Sequence, residues 1–268
     1  MITVAQIGQV YVKATQFLHP ERVEVLPSGI RYDREFALVE ADDKFVASDK
    51  HGDFFGLRFS FDAAADELVL ELPDGRKVSG PAAGCGRRFA INHAGLRDIA
   101  MALVEGPWTE TLSAFAGRPM HLARCVLTNG AVDVLPITFV TSGSLARLAR
   151  EVGAPVDPAR FRAGFVFNND VEHEEDGWDG RLIKVGTATL KVRSAVPRCG
   201  ITGFNPASGV RDQEVMRGLI RYREKASLPD GMLPGFSTPG FATYAEVVTP
   251  GVVQLGDSVE LLTADGHR

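Results

Sequence analysis

The clearest β-hairpin signal in the chain lies at residues 68–78, which read LVLELPDGRKV. An extended apolar run ends at the turn Pro73–Gly75, and Asp-Gly between two extended runs is the short-range sign of a hairpin. Upstream, residues 2–12 alternate apolar and polar side chains, as a half-buried strand requires, and residues 35–46 contain two extended runs around a polar turn. At the other end of the chain, residues 247–261 predict a closing hairpin.

Two segments between these strands have helical spacing instead. A helix is predicted from Ser142 to about Glu151, with Ser142 or Thr141 as its N-cap and Gly153 at its end. A second helix is predicted from about Asp212 to Arg223, and residues 190–196 between the two alternate like a strand.

Strands before and after two helices, without a β-α-β rhythm, predict a mainly β fold with some α structure. We expect an N-terminal β-barrel domain packed on a second β-barrel with flanking helices. A composition shift within residues 117–129 places the boundary there, which gives domains 1–125 and 126–268. No internal repeat or low-complexity linker occurs in the sequence, so the two domains are expected to pack tightly.

Composition and charge exclude several classes of protein. Of the 268 residues 45% are hydrophobic and 24% are charged, which excludes a disordered chain, and the net charge of −5 argues against nucleic-acid binding. No signal-peptide core lies in the first fifteen residues, and no apolar run is long enough for a spanning helix. The three cysteines have no C-x-x-C spacing, so we expect a reduced, cytoplasmic protein without membrane or nucleic-acid partners.

The most informative motif for chemistry lies at residues 196–209, VPRCGITGFNPASG, where a predicted strand ends at a proline. Cys199 follows Arg198 in a glycine-flanked loop, and a thiol beside a fixed positive charge is more available as thiolate. Thiolate is a nucleophile and a soft metal ligand. The alternative that Cys199 is simply a small, buried apolar residue stays open. Cys85 lies in a similar glycine-flanked context, whereas Cys125 is typical of an inert strand residue.

Other familiar catalytic signatures are missing from the sequence. Residues 84–86 lack the third glycine of a dinucleotide fingerprint, and residues 142–144 lack the glycines of a nucleophile elbow. Residues 173–176, HEED, have no second histidine at helical spacing and are expected to form a solvated acidic loop.

Nine short motifs, in order over nearly the whole chain, resemble those of one family. They are 12–13 (VK), 29–34 (GIRYDR), 142–145 (SGSL), 160–162 (RFR), 175–178 (EDGW), 184–186 (KVG), 198–199 with 205–209 (RC and NPASG), 219–223 (LIRYR) and 255–259 (LGDSV). The chain thereby resembles the MOSC (molybdenum cofactor sulfurase C-terminal) superfamily in its two-part form, and within it proteins similar to the amidoxime-reducing component.

This resemblance implies an N-terminal MOSC-type β-barrel domain at 1–125, a MOSC domain at 126–268 and a bound molybdenum cofactor. Cys199 would ligate molybdenum and, with Asp133, act in catalysis, because sulfur donors suit a soft redox metal. The cations that would hold the pterin and its phosphate are Lys13, Arg34, Arg162 and Arg198.

The reaction implied is reduction of N-oxygenated small molecules such as hydroxylamines, N-oxides and amidoximes. Three scattered cysteines cannot hold an iron–sulfur cluster by four thiolates, so a separate ferredoxin- or flavin-type electron donor is expected.

The sequence departs from the family pattern at several positions, which keeps two alternatives open. Ala14, Tyr32, Ala163-Gly164 and Val134-Leu135 stand where the family has other residues, in part hydroxyl or amide donors. One alternative is a cofactor-free descendant that binds or transforms a small organic substrate in an apolar cleft. The other is a sulfur or molybdenum-cofactor carrier that uses Cys199.

Overall fold

The computed structural model describes residues 1–46 and 52–262. These ranges contain three α-helices, α1 (Trp108–Ala116), α2 (Ser142–Val152) and α3 (Val215–Ile220). In chain order the strands are β1 (Ile2–Ile7), β2 (Val12–Lys13), β3 (Arg22–Leu26), β4 (Gly29–Ile30), β5 (Phe36–Glu40), β6 (Arg58–Asp62), β7 (Glu67–Glu71), β8 (Lys77–Pro81), β9 (Arg88–His93), β10 (Arg97–Leu103), β11 (Met120–Cys125), β12 (Ile137–Thr141), β13 (Phe165–Asn168), β14 (Leu182–Val185), β15 (Ala188–Pro197), β16 (Lys225–Ser227), β17 (Ser237–Thr249), β18 (Gly251–Gln254) and β19 (Ser258–Leu261).

Seven strands close into a barrel that is built mainly from the C-terminal half. Their order is β12-β13-β1-β19-β14-β15-β17, and β17 pairs again with β12 to complete the ring. Apolar side chains form its core, among them Phe139 and Phe167, whose ring centroids lie 4.8 Å apart. A mainly β fold that contains a barrel and a few helices was predicted from the sequence, and it is confirmed.

Two sheets of the N-terminal half share a second apolar core. One sheet has the order β2-β5-β11-β10-β9 and the other β6-β7-β8. The fully buried Trp108 of α1 lies in this core, and its indole Nε1 donates a hydrogen bond to the backbone oxygen of Pro81 at 2.9 Å. Sequence patterning did not predict α1, which ends at Gly117 in the left-handed conformation, with φ 66°.

The first thirty residues do not stay within the N-terminal sheets. Strand β1 pairs with β13 and β19 in the barrel, and β3 pairs with β18 near the end of the chain. The division between residues 125 and 126 stays a prediction, but the C-terminal barrel includes a strand from the N-terminal range.

Elements whose whole sequence signal lies within one short segment were predicted correctly. Strands β7 and β8 form the predicted hairpin, with Glu71 opposite Lys77 and Gly75 in the turn at φ 85°. Helix α2 starts as predicted, because Thr141 Oγ1 accepts a hydrogen bond from the Ser144 amide, and it ends at the left-handed Gly153.

Two predictions near the C-terminus were wrong in detail. Helix α3 is shorter than predicted, since the Asp212 carboxylate accepts hydrogen bonds from Arg160 at 2.7 Å and Asn205 at 2.9 Å, which holds residues 212–214 in a loop. The closing hairpin does not form: its strands exist, but β18 pairs with β3 and β19 pairs with β1 and β14.

A buried polar cluster ties α2 to the 3-10 helix at Glu174–Trp178. Thr141 Oγ1 and Ser144 Oγ donate to the two carboxylate oxygens of Glu175, at 2.9 and 2.5 Å. Glu175 is only 2% exposed, so the expected solvated loop at 173–176 was wrong for this residue. Burial raises the pKa of Glu175, although the two hydroxyl donors oppose the shift. Nδ1 of His173 lies 3.2 Å from Ser144 Oγ.

We predict that His173 makes the fold less stable in mild acid. Burial, together with the charges of Arg223 and Arg147, lowers the pKa of His173 to about 4. Because the ordinary histidine pKa is about 6.5, the unfolded state binds more protons between these values, and stability falls as pH falls through that window. The imidazole is half-buried, so we expect a loss of about 1–2 kcal/mol in the free energy of unfolding.

The measurement is urea unfolding at pH 7.5, 6 and 5 for the wild type and His173→Gln. The variant cannot titrate, so its unfolding free energy should change less over this range. Identical pH dependence in the two proteins would show that His173 is not the group responsible.

Candidate active site

A cavity of about 410 Å³ lies where the N-terminal sheets meet the barrel. Its wall is assembled from segments distant in the sequence, at 30–34, 93–96, 132–138, 161–164, 196–201 and 228–236. Its size falls within the range typical of small-molecule sites, about 300–1,000 Å³. Five of the six predicted site residues line it: Arg34, Asp133, Arg162, Arg198 and Cys199.

Cys199 presents an exposed thiol to this cavity. Strand β15 ends at Pro197, the Arg198 amide bonds to the Pro239 oxygen at 3.0 Å, and Cys199 then begins a short 3-10 helix, Gly200–Gly203. The thiol is therefore not a buried hydrophobic filler. Cys125, in contrast, is a buried core residue. Burial raises the pKa of its thiol to about 12, and its sulfur lies 3.5 Å from that of Met101.

Two arginines lie side by side in the cavity wall. Arg34 pairs with Asp33, and its Nη2 donates to the backbone oxygen of Arg162 at 3.0 Å. The guanidinium carbons of Arg34 and Arg162 lie 5.4 and 4.6 Å from the ring centroid of Phe17. Desolvation and the like charge of Arg34 lower the pKa of Arg162 to about 9. A bound anion would relieve this repulsion, so the pair is suited to a phosphate.

Both arginines also have unusual backbone conformations. Arg34 has φ 52° and Arg162 has φ 51°, in the left-handed region that costs a non-glycine residue roughly 1–2 kcal/mol. Such a conformation persists only where the surrounding structure holds the residue in place, as the bond from Arg34 to the Arg162 oxygen does here.

Arg198 is the third cavity arginine and directly precedes the thiol. It is 6% exposed, and its Nη2 donates to the Phe161 oxygen at 2.7 Å. Its Nε has no hydrogen-bond partner among the described residues, and burial lowers the pKa of the group. A buried N–H without a partner is uncommon and calls for an explanation, such as a bound group at the site.

Lys13 lies behind Asp133 rather than in the cavity wall. Its Nζ pairs with the Asp133 carboxylate and donates to the Ala131 oxygen at 2.9 Å. Burial lowers the pKa of Lys13, and Asp133 opposes that shift. Burial alone would raise the pKa of Asp133, but Lys13, His93 and Arg34 hold it well below its usual range. Asp133 is therefore an ionised carboxylate open to the cavity.

Sequence analysis missed His93, which lines the cavity and places Nε2 3.4 Å from Asp133 Oδ1. It is the last residue of β9, forty residues before Asp133. No sequence signal joins the two, because only tertiary packing brings this hairpin to the loop before β12.

Residues 1–46 and 52–262 contain no group of three or more His, Cys, Asp or Glu side chains placed to hold a metal ion. Within the same ranges, no helix has the length and apolarity that crossing a membrane requires.

Comparison with solved structures finds only distant similarity. The YUAD protein from Bacillus subtilis matches over 97% of this chain and 96% of its own, at 12% identity and a TM-score of 0.45. YiiM from Geobacillus stearothermophilus matches over 48% of this chain and 55% of its own, at 18% identity and a TM-score of 0.31.

Comparison with known sequences is more specific. Human mitochondrial amidoxime-reducing component 1 is 33% identical over 131 residues, which cover 48% of this chain and 38% of the relative. Mitochondrial amidoxime reducing component 2 from Bos taurus is 33% identical over 128 residues, 47% of this chain and 37% of the relative. The chain thus spans less than two fifths of the length of these relatives. The model of the MOSC domain family matches residues 128–260, and this part of the chain is a MOSC domain.

Proposed function

We propose that this chain binds a molybdenum cofactor in the cavity and reduces N-oxygenated small molecules. The single observation that carries the proposal is the exposed Cys199 thiol in a cavity lined by Arg34, Arg162 and Arg198. The relatives named amidoxime-reducing components, which match just under half of the chain, support the same chemistry.

The residues present fit such a cofactor. A thiolate is the soft donor that a redox metal prefers, and the adjacent arginines Arg34 and Arg162 suit the phosphate of a pterin. The unpartnered Nε of Arg198 leaves a buried donor at the wall of the same cavity. Cys199 would thus hold the metal, and the three arginines would hold the pterin and its phosphate.

When bound, the cofactor supplies two-electron redox chemistry at the metal. The overall reaction for a hydroxylamine is R–NH–OH + 2 H⁺ + 2 e⁻ → R–NH₂ + H₂O, in which the N–O bond breaks and the oxygen leaves as water. The electrons come from a separate donor of the ferredoxin or flavin class. The three cysteines are free, as expected of a reduced protein. A cytoplasmic location stays a prediction.

Asp133 and His93 act on the substrate side of this reaction. The ionised Asp133 carboxylate accepts a hydrogen bond from the substrate N–H or O–H and orients the N–O bond. Lys13 fixes the position of this carboxylate by its ion pair, and His93, whose Nε2 lies 3.4 Å from Asp133 Oδ1, lines the cavity within reach of the substrate. Lys13 thus acts through Asp133 rather than by direct contact with the cofactor.

The test is an anaerobic assay of cofactor-loaded protein with reduced methyl viologen as artificial donor and N-benzylhydroxylamine as substrate. We expect benzylamine to form, with two viologen radicals oxidised for each amine. Protein that carries molybdenum and pterin but forms no amine from hydroxylamine, N-oxide or amidoxime substrates would contradict the proposed reaction.

A further inference from the structure

One part of the cavity wall, here called the apolar wall, consists of aliphatic and aromatic side chains. Its members come from three separate segments and are Leu96, Val134, Leu135, Leu228, Leu233 and Phe236. Leu96 belongs to the β9–β10 turn, Val134 and Leu135 precede β12, and the others belong to the loop at 228–236. The proposed reaction uses only the charged groups and the thiol, so it gives the apolar wall no role.

Charged groups are kept away from the loop side of the apolar wall. The loop at 228–236 contains a single ionisable residue, Asp230, and its carboxylate pairs with Arg193 at 2.7 Å. Asp230 does not line the cavity, whereas Leu228, Leu233 and Phe236 do. A charged substituent near this loop would therefore lose water without gaining a partner, which is unfavourable.

Apolar surface of this loop is open to solvent. Phe236 is 41% exposed and Met232, beside Leu233, is 36% exposed. Covering such surface with an apolar group is favourable in proportion to the area removed from water. The exposure thus favours an apolar occupant at the mouth of the cavity.

Both halves of the chain meet at this wall. A β-carbon built at Gly95 would lie 3.4 Å from Cδ2 of Leu233, so the β9–β10 turn touches the loop at 228–236. A ligand group seated here would contact Leu96 from one half and Leu233 from the other. Its reacting atom would then face Asp133 and Cys199, which line the same cavity.

We propose that the apolar wall selects substrates whose nitrogen carries an uncharged, apolar substituent of about the size of a phenyl ring. Leu96, Leu233 and Phe236 form the seat of this substituent. The inference rests on the proposed function for the identity of the reacting group, but the seat itself is tested by binding alone.

The test compares three uncharged hydroxylamines that differ only in their substituent: N-benzylhydroxylamine, N-methylhydroxylamine and N-(2-hydroxyethyl)hydroxylamine, whose substituent is polar. A carboxylate-bearing compound is avoided, because the arginines of the same cavity would bind its anion. Dissociation constants are measured by isothermal titration calorimetry on the full chain, for the wild type and Leu233→Ala. We expect the benzyl compound to bind roughly tenfold or more tightly than the other two. Leu233→Ala should weaken the benzyl compound about fivefold or more and leave the methyl compound unchanged.

Leu255→Ala is the matched control, because Leu255 is 44% exposed and does not line the cavity. It should bind all three compounds like the wild type. Equal affinity for the benzyl and hydroxyethyl compounds, or a benzyl-to-methyl ratio that Leu233→Ala leaves unchanged, would overturn the proposal. Should the ratio behave as expected while loaded protein forms no amine, the apolar seat stands and the proposed reductase function fails.

Discussion

Cys199→Ala is expected to lose nearly all reductase activity, by about a thousandfold or more in kcat/KM, while it folds normally. The thiol is exposed at the cavity, so its removal leaves no buried void, and surface substitutions usually change stability within about 0.5 kcal/mol. Loss of activity would thus reflect the loss of the sulfur donor rather than unfolding. Activity is measured with the viologen assay, and folding by circular dichroism and thermal unfolding.

Cys85→Ala is the matched control for this variant. Cys85 is also free and exposed, and it does not line the cavity. We expect wild-type activity and wild-type cofactor content in this protein. Full activity in Cys199→Ala would remove the thiol from the chemistry, and equal losses in both variants would point to a general sensitivity to cysteine loss.

Arg162→Asn is expected to lower cofactor occupancy about tenfold or more without destabilising the fold. One lost hydrogen bond to a charged group is worth about 1.5–3 kcal/mol, which sets the size of the effect. Asparagine tolerates the left-handed backbone of residue 162 better than most residues, and the change removes the like charge beside Arg34. Both changes stabilise the folded state. The variant also loses the hydrogen bond from Arg162 Nη2 to the Thr15 oxygen, 3.0 Å, and this loss offsets the stabilisation.

Two measurements on the same sample separate these effects. Pterin content of the purified protein should fall, while the unfolding free energy of protein freed of cofactor should stay within about 1 kcal/mol of the wild type. Arg181→Asn is the control, because Arg181 is exposed, directly precedes β14 and does not line the cavity. Unchanged pterin content in Arg162→Asn would exclude Arg162 as an anchor.

The sequence predicts elements whose determinants are local. The β7–β8 hairpin has its Asp-Gly turn, and α2 has both its N-cap and its terminal glycine. Pairing between distant strands has no such signal: nothing in residues 251–254 indicates that they pair with residues 22–26. The same limit explains why α3 was predicted too long, since the partners of Asp212 lie elsewhere in the chain.

The candidate site likewise contains residues that local motifs identify and residues that only tertiary packing brings to the cavity. Motif resemblance singled out Arg34, Arg162, Asp133 and Cys199, and all of them line one cavity. It also implied an anchoring role for Lys13, which stays a prediction; the ammonium pairs with Asp133 and is not part of the cavity lining. Val134 and Leu135 of the apolar wall were noted in the sequence as departures from the family pattern. His93 and Leu96 had no sequence signal, because their place at the cavity depends on how the β9–β10 hairpin packs against the barrel.

Strands β1 and β3, although early in the chain, pair with strands of the C-terminal half. Strand β1 lies between β13 and β19, so a fragment that starts at residue 126 lacks one strand of the barrel. Arg34 and His93 also come from the N-terminal half, and both line the cavity. The site therefore needs both halves of the chain, and experiments on it should use the full chain.

The most direct test of the proposed cofactor is its presence in protein produced with ample molybdate. Molybdenum is measured by mass spectrometry and pterin by fluorescence, on the same purified sample. We expect both in equal amounts that approach the amount of chain. A chain that carries neither molybdenum nor pterin above background would contradict the proposed function and favour a cofactor-free small-molecule site.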